Sequence, residues 1–324
     1  GGFSTCGCWY TDTEIVLKGL QIMCGIAGFV NDMPIDVKCP VLQRMTDMIA
    51  HRGPDSEGHY IDEHAALGHR RLSIIDLGGG QQPIYNEDGS KVITFNGEIY
   101  NYQTLREELI AAGHTFTTKS DTEVLLHGYE QWGVDLLQRV RGMFTFVIWD
   151  KNKQELFGAR DHFGIKPFYY AKMNGTFMYA SEIKSLLRHP DFVKELNAEA
   201  LKPYMTFQYP AIGETFFKGV YKLPEGHYFT YRDGKMDIHR YYDEDFREGK
   251  QKLGELVNSI DQTVCDSVKA HQIADVEVGS FLSSGVDSSY VAAVARPQHT
   301  YSIGFGKGTY NESQQAGELA ELLK

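Results

Sequence analysis

A cysteine that directly follows a methionine could act as a nucleophile in this chain. Cys24 follows Met23 and begins the apolar segment 24–29. A free thiol, with a pKa of about 8.5, is mostly protonated at neutral pH. If Met23 were removed, the α-amine of Cys24 could take the thiol proton and later give it to a leaving amine. Gly25 would let the backbone and a substrate approach closely. The alternative is that Cys24 is a small core residue, since free cysteines are often buried.

A loop of small residues near the end of the sequence is the second feature that could do chemistry. Segment 283–289 reads Ser-Ser-Gly-Val-Asp-Ser-Ser and lies between a predicted strand, 276–282, and a predicted apolar helix, 290–296. Unpaired backbone N–H groups and the positive end of the helix dipole favour phosphate there. The loop lacks the Gly-Lys-Ser/Thr ending of a Walker A motif. The alternative is a serine-rich helix cap without a ligand.

The elements that must position Cys24 are predicted to be mostly strands. The predicted strands are 26–30, 65–72, 91–95, 143–150, 155–160, 168–171 and 176–180. The predicted helices are 41–50, 102–112 and 122–132. Asp121 is expected to be the N-cap of the third helix, and Glu123 adds negative charge to its first turn. The pattern favours stacked antiparallel sheets flanked by helices.

The pattern changes after the turn dipeptide Asp233-Gly234. Segment 241–250 is polar and acidic and is interpreted as a linker, and apolar residues at helical spacing over 253–268 predict an amphipathic helix of about five turns. A strand at 276–282, a helix, a strand at 301–305 and a helix at 312–324 then follow. This alternation predicts the start of a parallel sheet.

The composition is that of a globular protein of about two domains: 324 residues, 42% hydrophobic and 23% charged. A net charge of −11 argues against nucleic acid or an anionic membrane as a partner. No apolar run reaches the roughly 18 residues that a membrane span needs. Five irregularly spaced cysteines predict reduced thiols and a cytoplasmic location. No metal site is expected, because Cys6 and Cys8 lack a second ligand pair.

Residues 1–22 fit nothing that follows them. They contain no methionine, no basic stretch and no apolar core, so they do not resemble a secretory signal. We expect that translation begins at Met23 and that the segment is upstream reading frame. A removable propeptide is the alternative.

Several ordered motifs resemble those of class II glutamine amidotransferases. They are 23–29, His-Arg-Gly-Pro-Asp at 51–55, Arg-Leu-Ser-Ile-Ile-Asp at 71–76, Phe-Asn-Gly-Glu-Ile-Tyr-Asn at 95–101 and Arg-Asp-His-Phe-Gly-Ile-Lys-Pro at 160–167. Segment 283–289 resembles the pyrophosphate loop of ATP pyrophosphatases, usually Ser-Gly-Gly-x-Asp-Ser. The amidotransferase motifs followed by the pyrophosphate loop resemble the arrangement in glutamine-hydrolysing asparagine synthetases.

The resemblance implies an α+β N-terminal-nucleophile hydrolase domain, an αββα sandwich of antiparallel sheets. The start of an α/β ATP pyrophosphatase domain with a parallel sheet would follow it. We therefore expect the amidotransferase domain at 23–237, a linker at 238–250 and the ATP-binding domain at 251–324. The family's synthetase domain extends well past this length, so the sequence is interpreted as truncated.

The resemblance also implies roles for residues of the first domain. Cys24 would attack the side-chain amide of glutamine with its own α-amine as base. The Asn96 side chain and the Gly97 backbone N–H would form the oxyanion hole. The residues that would hold the substrate are Arg71 for its α-carboxylate, Glu98 and Asp121 for its α-ammonium, and Ile74 and Ile75 beside it. Taken singly, Arg71 could instead be part of a surface ion pair, Asp121 a helix cap and Asn96-Gly97 a hairpin turn.

In the second domain the resemblance places ATP along the small-residue loop. The implied ATP-binding residues are Leu282, Ser283, Ser284, Gly285, Asp287 and Ser288, with Ile303 near the adenine. ATP would activate aspartate as an acyl-adenylate, Mg²⁺ would neutralise the phosphates, and ammonia would then attack. Ser284 departs from the commoner glycine. No organic prosthetic group is implied, and a homodimer is one option for assembly.

Two other functions stay open. One is a class II amidotransferase or pyrophosphate-loop synthetase with another acceptor, and the other is a non-catalytic glutamine-binding module. Segments 51–55 and 160–167 are interpreted as structural, because Gly-Pro and Lys-Pro set turns. Cys39 and Cys265 are expected to lie in the core.

Overall fold

The computed structural model describes residues 23–211, 213–304 and 312–323, so the expectation for residues 1–22 lies outside the described residues. Contacts divide the chain into two compact units. One unit holds the described residues through Asp245, and the other begins at Phe246.

The first unit contains two six-stranded antiparallel sheets. The first sheet has the order β10-β8-β9-β1-β3-β2, with β1 Gly25–Val30, β2 Ser56–Ile61, β3 Ala65–Arg71, β8 Tyr169–Met173, β9 Thr176–Ala180 and β10 Val220–Lys222. The second has the order β12-β11-β7-β6-β5-β4, with β4 Ile84–Tyr85, β5 Lys91–Ile99, β6 Gly142–Asp150, β7 Glu155–Arg160, β11 His227–Arg232 and β12 Lys235–Arg240.

The described residues of the first unit form five α-helices, and all but the last, which buries no residue, pack on the outer faces of these sheets. They are α1 Ile35–Asp47, α2 Tyr102–Ala111, α3 Asp121–Trp132, α4 Ile183–Leu186 and α5 Leu201–Phe207, with 3₁₀ turns at Gly133–Gln138 and Ala198–Ala200. None of the described helices combines the length and the apolar character that crossing a bilayer requires.

Three apolar clusters define four layers. Ile26 and Phe177 of the first sheet pack against Trp149 and Phe229 of the second, and this inter-sheet core is fully buried. A second cluster joins β5 and β6 to α2 and α3, and a third joins β1, β3 and β9 to α1 and α4. The order helix–sheet–sheet–helix confirms the predicted αββα sandwich, because each sheet buries one face on the other sheet and one on helices.

Several element boundaries differ from the prediction. The N-cap of α3 is Ser120, whose side chain accepts a hydrogen bond from the Thr122 N–H over 3.2 Å, so the assignment of Asp121 as the cap is wrong. Strand β5 continues to Ile99, which rules out a hairpin turn at Asn96-Gly97. Cys39 is exposed rather than part of the core, and Cys265 is only half-buried.

The end of the sandwich lies a few residues beyond the expected boundary. Asp233 and Gly234, both at positive φ, form the turn between β11 and β12. Strand β12 runs to Arg240 and so includes the first residues of the expected linker, 238–250. The side chain of Tyr242 then packs edge-on against the ring of His162 at a centroid distance of 4.5 Å.

The second unit contains the predicted alternation with shorter strands. Its elements are α6 Leu253–Ala270, β13 Ser280–Phe281, α7 Val286–Ala295, β14 Thr300–Tyr301 and α8 Ser313–Leu322. Strands β13 and β14 pair in parallel, as predicted. A small core joins Leu282, Ala292 and Ala316, whereas Val257 and Ile260 of α6 are more than half exposed. Residue 305, the end of the predicted second strand, lies outside the described residues.

Candidate active site

One cavity of about 320 Å³ brings together all eight predicted glutamine-site residues. It lies in the first unit, where β1, β3 and β5 meet the start of α3. Its lining includes Cys24, Arg71, Ile74, Ile75, Asn96, Gly97, Glu98 and Asp121. These residues are up to 97 positions apart in the chain (121 − 24), so the two sheets bring them together.

Cys24 lies immediately before β1 and is half-buried. Its Sγ accepts a hydrogen bond from the Leu72 N–H over 3.3 Å and lies 3.4 Å from the Leu72 carbonyl oxygen. Burial raises the pKa of the Cys24 thiol, and the Leu72 hydrogen bond, Lys166 and Arg71 act in the opposite direction. The thiol is therefore protonated at rest and needs a base before it can attack.

Gly25 has a different role from the one expected. It does not line the cavity, and a Cβ at this position would lie 2.9 Å from Ile49 Cδ1 and 3.3 Å from Arg52 Cδ. The missing side chain therefore lets β1 pack against the segment that follows α1. The expectation that Gly25 opens space for a substrate is wrong.

Arg52 of the motif at 51–55 makes contacts that hold the backbone near Cys24 in place. Its Nε donates a hydrogen bond to the Cys24 carbonyl oxygen over 3.1 Å. Its Nη1 donates to Glu182 Oε1 over 3.1 Å, and Glu182 also contacts His51 at 2.9 Å. This chain of contacts fixes the backbone of Cys24 relative to β9 and α4, in agreement with a structural interpretation of the motif.

Asn96 places an unpaired donor at the cavity. The residue is 1% exposed, and its Nδ2 has no hydrogen-bond partner among the described residues. A buried donor without a partner costs free energy, so this nitrogen suits an acceptor that enters the cavity. Gly97 follows on β5, where a Cβ would lie 2.2 Å from the Met143 carbonyl oxygen, so only glycine allows β5 to approach β6 here.

Arg71 is held by backbone oxygens at the end of β3. It is 8% exposed, and its Nη2 donates to the Ile75 oxygen over 3.1 Å and to the Asp76 oxygen over 2.6 Å. These bonds fold the segment that carries Ile74 and Ile75 around the guanidinium. A surface ion pair, the alternative for Arg71, does not describe this buried position.

Asp121 is a buried carboxyl group of the cavity. It is 4% exposed, and its Oδ2 accepts a hydrogen bond from the Ile99 N–H over 2.9 Å. Burial raises the pKa of Asp121 to about 7; the Ile99 N–H lowers it, and the negative charge of Glu98 raises it. A cation bound between these two carboxylates would stabilise both charges.

Comparisons with known proteins agree with this geometry. Residues 23–242 match the model of the glutamine amidotransferase domain family. The chain belongs to that family. Residues 259–324 match the model of the asparagine synthase family.

Named relatives of this glutamine amidotransferase domain include asparagine synthetase [glutamine-hydrolyzing] 1 of Bacillus subtilis (strain 168), which is 44% identical over 93% of this chain and 49% of its own length. Asparagine synthetase [glutamine-hydrolyzing] 3 of the same strain is 36% identical over 87% of this chain and 48% of its own length. Amidase chry2 of Gibberella zeae is 35% identical over 84% of this chain and 42% of its own length. The chain thus spans about half the length of the curated relatives it matches.

A solved structure supports the fold of the amidotransferase family. Glutamine phosphoribosylpyrophosphate amidotransferase from B. subtilis, complexed with ADP and GMP, aligns with a TM-score of 0.51. The alignment covers 89% of this chain and 67% of that chain at 18% identity. At this identity the likeness concerns the fold alone.

Sequence reasoning missed four polar residues of the amidotransferase cavity, which are Gln82, Ser120, Thr122 and Lys166. Lys166 is 5% exposed, and burial lowers its pKa while the charges of Glu98 and Cys24 raise it. Gln82 accepts from the Phe95 N–H over 2.6 Å and donates to the Phe95 oxygen over 3.1 Å, which fixes β5 beside Asn96. The available signal for Lys166 was its place in the motif 160–167, which was interpreted only as a turn.

The interpretation of Arg160 and Asp161 as structural residues is confirmed. Asp161 accepts hydrogen bonds from four backbone N–H groups, including that of Lys166 over 3.0 Å. Arg160 donates to the Lys166 oxygen over 2.7 Å and to the Leu223 oxygen over 2.6 Å. Both side chains shape the loop that brings Lys166 to the cavity.

The predicted phosphate loop lies in the second unit, at the start of α7. Gly285 is the N-cap of this helix, which begins four residues earlier than predicted. Ser283 Oγ accepts from the Gly285 N–H over 3.2 Å and lies 2.8 Å from Ser288 Oγ. The Ser284 N–H donates to Glu312 Oε2 over 3.2 Å, so the loop already presents a backbone donor to an anionic oxygen.

The remaining predicted ATP-site residues differ in exposure. Leu282 is buried, its N–H donates to the Tyr301 oxygen, and its own oxygen accepts from Ser302 Oγ. Asp287 is exposed in the first turn of α7, and Ile303 is 48% exposed. Leu282 thus connects the loop to the core, while Asp287 and Ile303 lie at the surface.

Proposed function

We propose that the first unit hydrolyses glutamine to glutamate and ammonia with Cys24 as nucleophile. The observation that carries this proposal is the unpaired Nδ2 of buried Asn96 in the same cavity as the Cys24 thiol. A thiol beside an unpaired amide donor supplies a nucleophile and a stabiliser for the oxyanion that it creates. The printed names of the relatives, which include "glutamine-hydrolyzing", support this assignment.

Three charged residues would hold the substrate. Arg71 would bind the α-carboxylate of glutamine, since its guanidinium matches a carboxylate in shape and charge. Glu98 and Asp121 would bind the α-ammonium, and Ile74 and Ile75 would contact the substrate beside Arg71. A cavity of about 320 Å³ is large enough for an amino acid of this size.

The reaction would proceed through a thioester. The Cys24 sulfur attacks the amide carbon while the Cys24 α-amine, freed by loss of Met23, takes the thiol proton. The oxygen then carries negative charge between Asn96 Nδ2 and the Gly97 N–H. Collapse breaks the C–N bond, the α-amine returns its proton to the departing ammonia, and water hydrolyses the thioester to glutamate.

For the second unit we propose ATP-dependent formation of asparagine as part of a glutamine-hydrolysing asparagine synthase. Supporting observations are the match of residues 259–324 to the asparagine synthase family and the Ser284 N–H that donates to a carboxylate. Ser283, Gly285, Asp287 and Ser288 would line the phosphates of ATP. The aspartate β-carboxylate would attack the α-phosphorus, pyrophosphate would leave, and ammonia would displace AMP.

Mg²⁺ is the metal that this reaction would use, because it neutralises the phosphates that leave. Asp287, exposed at the start of α7, is the carboxylate of the loop that could face it. Aspartate and ATP as substrates, a homodimer and a cytoplasmic location belong to the same proposal. We place the amidotransferase domain between Met23 and the end of β12, a linker up to residue 250 and the ATP-binding domain from 251 onward.

One assay tests these proposals and the alternatives. The chain beginning at Cys24 is incubated with glutamine alone, and then with aspartate, Mg-ATP and either glutamine or ammonia. Glutamate release supports the first proposal, and asparagine formation from ammonia supports the second independently of Cys24. Absence of glutamate release would leave a non-catalytic glutamine-binding module, and release with another acceptor would indicate a different amidotransferase.

A further inference from the structure

A cluster of histidine and glutamate side chains lies on the outer helical layer, apart from the glutamine cavity. Glu87 belongs to the turn after β4, His114 follows α2, and His127 and Glu130 lie on α3. Each residue offers one ligand atom, and the four atoms lie within 4.8 Å of one another. Neither the reaction proposed for Cys24 nor the phosphate loop uses any of them.

Three contacts among these residues are close in length to the ligand separations of a tetrahedral metal ion. His127 Nδ1 lies 3.1 Å from Glu130 Oε2 and 3.4 Å from Glu87 Oε2, and His114 Nδ1 lies 3.5 Å from Glu87 Oε1. A tetrahedral zinc with bonds of about 2.0–2.1 Å separates its ligand atoms by roughly 3.3 Å. Glu87 is exposed, so its side chain has room to adjust around an ion.

His114 is oriented by a second contact on the far side of its ring, because its Nε2 lies 3.2 Å from Gln131 Oε1. His127 Nε2 lies 3.5 Å from Glu123 Oε1 and has no hydrogen-bond partner among the described residues. An acceptor on one ring nitrogen holds the proton there and presents the other nitrogen as a ligand, an arrangement that metal-binding histidines almost always show. Both Nδ1 atoms lie within 3.5 Å of the Glu87 carboxylate, so both histidines present this nitrogen to the cluster.

Glu123 is itself held firmly. Its carboxylate accepts the N–H of Thr117 over 2.7 Å and that of Thr118 over 2.7 Å, and the residue is 1% exposed. The Glu130 carboxylate accepts from Asn86 Nδ2 over 2.7 Å. Ligands whose partners are already fixed lose little freedom when an ion binds.

We propose that Glu87, His114, His127 and Glu130 bind one zinc ion. Two imidazoles with two carboxylates and no thiolate is a donor set that suits zinc rather than magnesium or calcium, which prefer oxygen alone. The ion has a structural role, because it joins the turn after β4 and the connection after α2 to α3. A protonated His127 that neutralises the carboxylates would explain the same cluster without a metal.

The experiment compares the complete chain with three variants. His114→Gln removes one ligand from a half-buried position, and Gln131→Leu removes only the contact that orients His114. His64→Gln is the matched control, since His64 is also half-buried and lies 3.5 Å from a carboxylate, that of Asp32. Each protein is stripped with a chelator, and zinc binding is measured by calorimetry and by metal analysis after dialysis.

We expect wild type and His64→Gln to retain about one zinc per chain and to melt at a higher temperature when loaded. Gln131→Leu should bind zinc about 10–100-fold more weakly than wild type, as expected for the loss of a residue that orients a ligand. His114→Gln, which loses a ligand itself, should bind zinc at least as weakly as Gln131→Leu. Cobalt in place of zinc should give the absorption spectrum of a tetrahedral site in wild type and in His64→Gln but not in His114→Gln. Failure of wild type to bind zinc, or equal affinity of His114→Gln and His64→Gln, would overturn the proposal.

Discussion

The ammonium of Lys166 lies 3.8 Å from the sulfur of Met23, at the edge of the cavity that contains Cys24. Met23 therefore occupies the position next to the Cys24 thiol where the freed α-amine of Cys24 would lie. Removal of Met23 would free that amine and leave Lys166 facing Cys24 and Glu98.

The first prediction concerns the mature N-terminus. We expect mass spectrometry of the active protein to show Cys24 as its first residue, because a peptide bond to Met23 removes the proposed base. A protein forced to retain Met23, for example by a preceding tag that is not cleaved, should lack glutaminase activity. Full activity in such a protein would refute the mechanism.

The second prediction concerns Lys166. Its positive charge lowers the pKa of the Cys24 thiol, so Lys166→Met should slow alkylation of Cys24 at pH 7 by about threefold to tenfold. Lys166→Arg should restore most of the rate. Lys153→Met, on the exposed turn after β6, is the control and should behave as wild type. An unchanged alkylation rate in Lys166→Met would show that Lys166 only packs against the cavity.

The third prediction separates binding from bond breaking. Cys24→Ala should abolish glutamate release but leave glutamine binding largely intact, since Arg71, Glu98 and Asp121 are the residues proposed to make the charged contacts. Calorimetry of this variant should still detect glutamine. Loss of binding in Cys24→Ala would mean that the thiol, rather than these charges, holds the substrate.

The fourth prediction tests the oxyanion hole. Asn96→Ala should reduce turnover by about 10²–10³ with little effect on binding, because the amide is proposed to act on the charge that develops on oxygen. Asn152→Ala, at an exposed turn, is the matched control. Unchanged turnover in Asn96→Ala would show that its unpaired nitrogen has another use.

The fifth prediction is a pH dependence. The pKa of Asp121, about 7, lies above its ordinary value of 3.8, so the folded protein holds a proton there between these values. Protonated Asp121 has no charge to pair with an ammonium, so the affinity of Cys24→Ala for glutamine should fall as the pH drops through about 7. Binding isolates this effect, because the α-amine proposed as the base titrates at about 7.7–8.0 and gives kcat/KM an acid limb of its own. Asp121→Asn in the Cys24→Ala protein should bind glutamine weakly and lack this fall in affinity. The same fall in both proteins would contradict the assignment.

The same shift has a consequence for stability. Because the pKa of Asp121 is raised in the fold, its ionisation destabilises the folded protein progressively as the pH rises from about 4 to 7. Glutamine should offset this effect by supplying the ammonium. We expect glutamine to raise the melting temperature of Cys24→Ala more at pH 8 than at pH 6.

The main site could be predicted because the motifs that carry most of its residues resemble those of class II glutamine amidotransferases. The two sheets bring together the residues of this site, which include Cys24, Arg71, Asn96 and Asp121. Antiparallel sheets were expected from the alternation of strands and turns. The sequence could not show which residue is the N-cap of α3, because Ser120 and Asp121 are adjacent and both residue types are good N-caps.

Other features depended on long-range contacts that the sequence does not reveal. Strand β2 has one buried side chain and β12 has none, so neither has the apolar pattern of a strand. Lys166 reaches the cavity because Asp161 accepts hydrogen bonds from four backbone N–H groups and so shapes the loop that carries Lys166. Residue types alone do not indicate this geometry. The role of Gly25 depends on Ile49 and Arg52, which follow α1 and lie beside β1 in the fold.

Strand β5 sets a limit on how the gene for this chain can vary. Asn96, Gly97 and Glu98 are consecutive on a strand that pairs with β6 over nine residue pairs, from Lys91 with Asp150 to Ile99 with Gly142. Side chains alternate between the faces of a strand, so one inserted or deleted codon before Asn96 would turn its amide to the opposite face. The turn between β6 and β7 carries no such constraint. Tolerated insertions and deletions should therefore occur at residues 151–154 and be absent along β5, even though both segments belong to the same sheet.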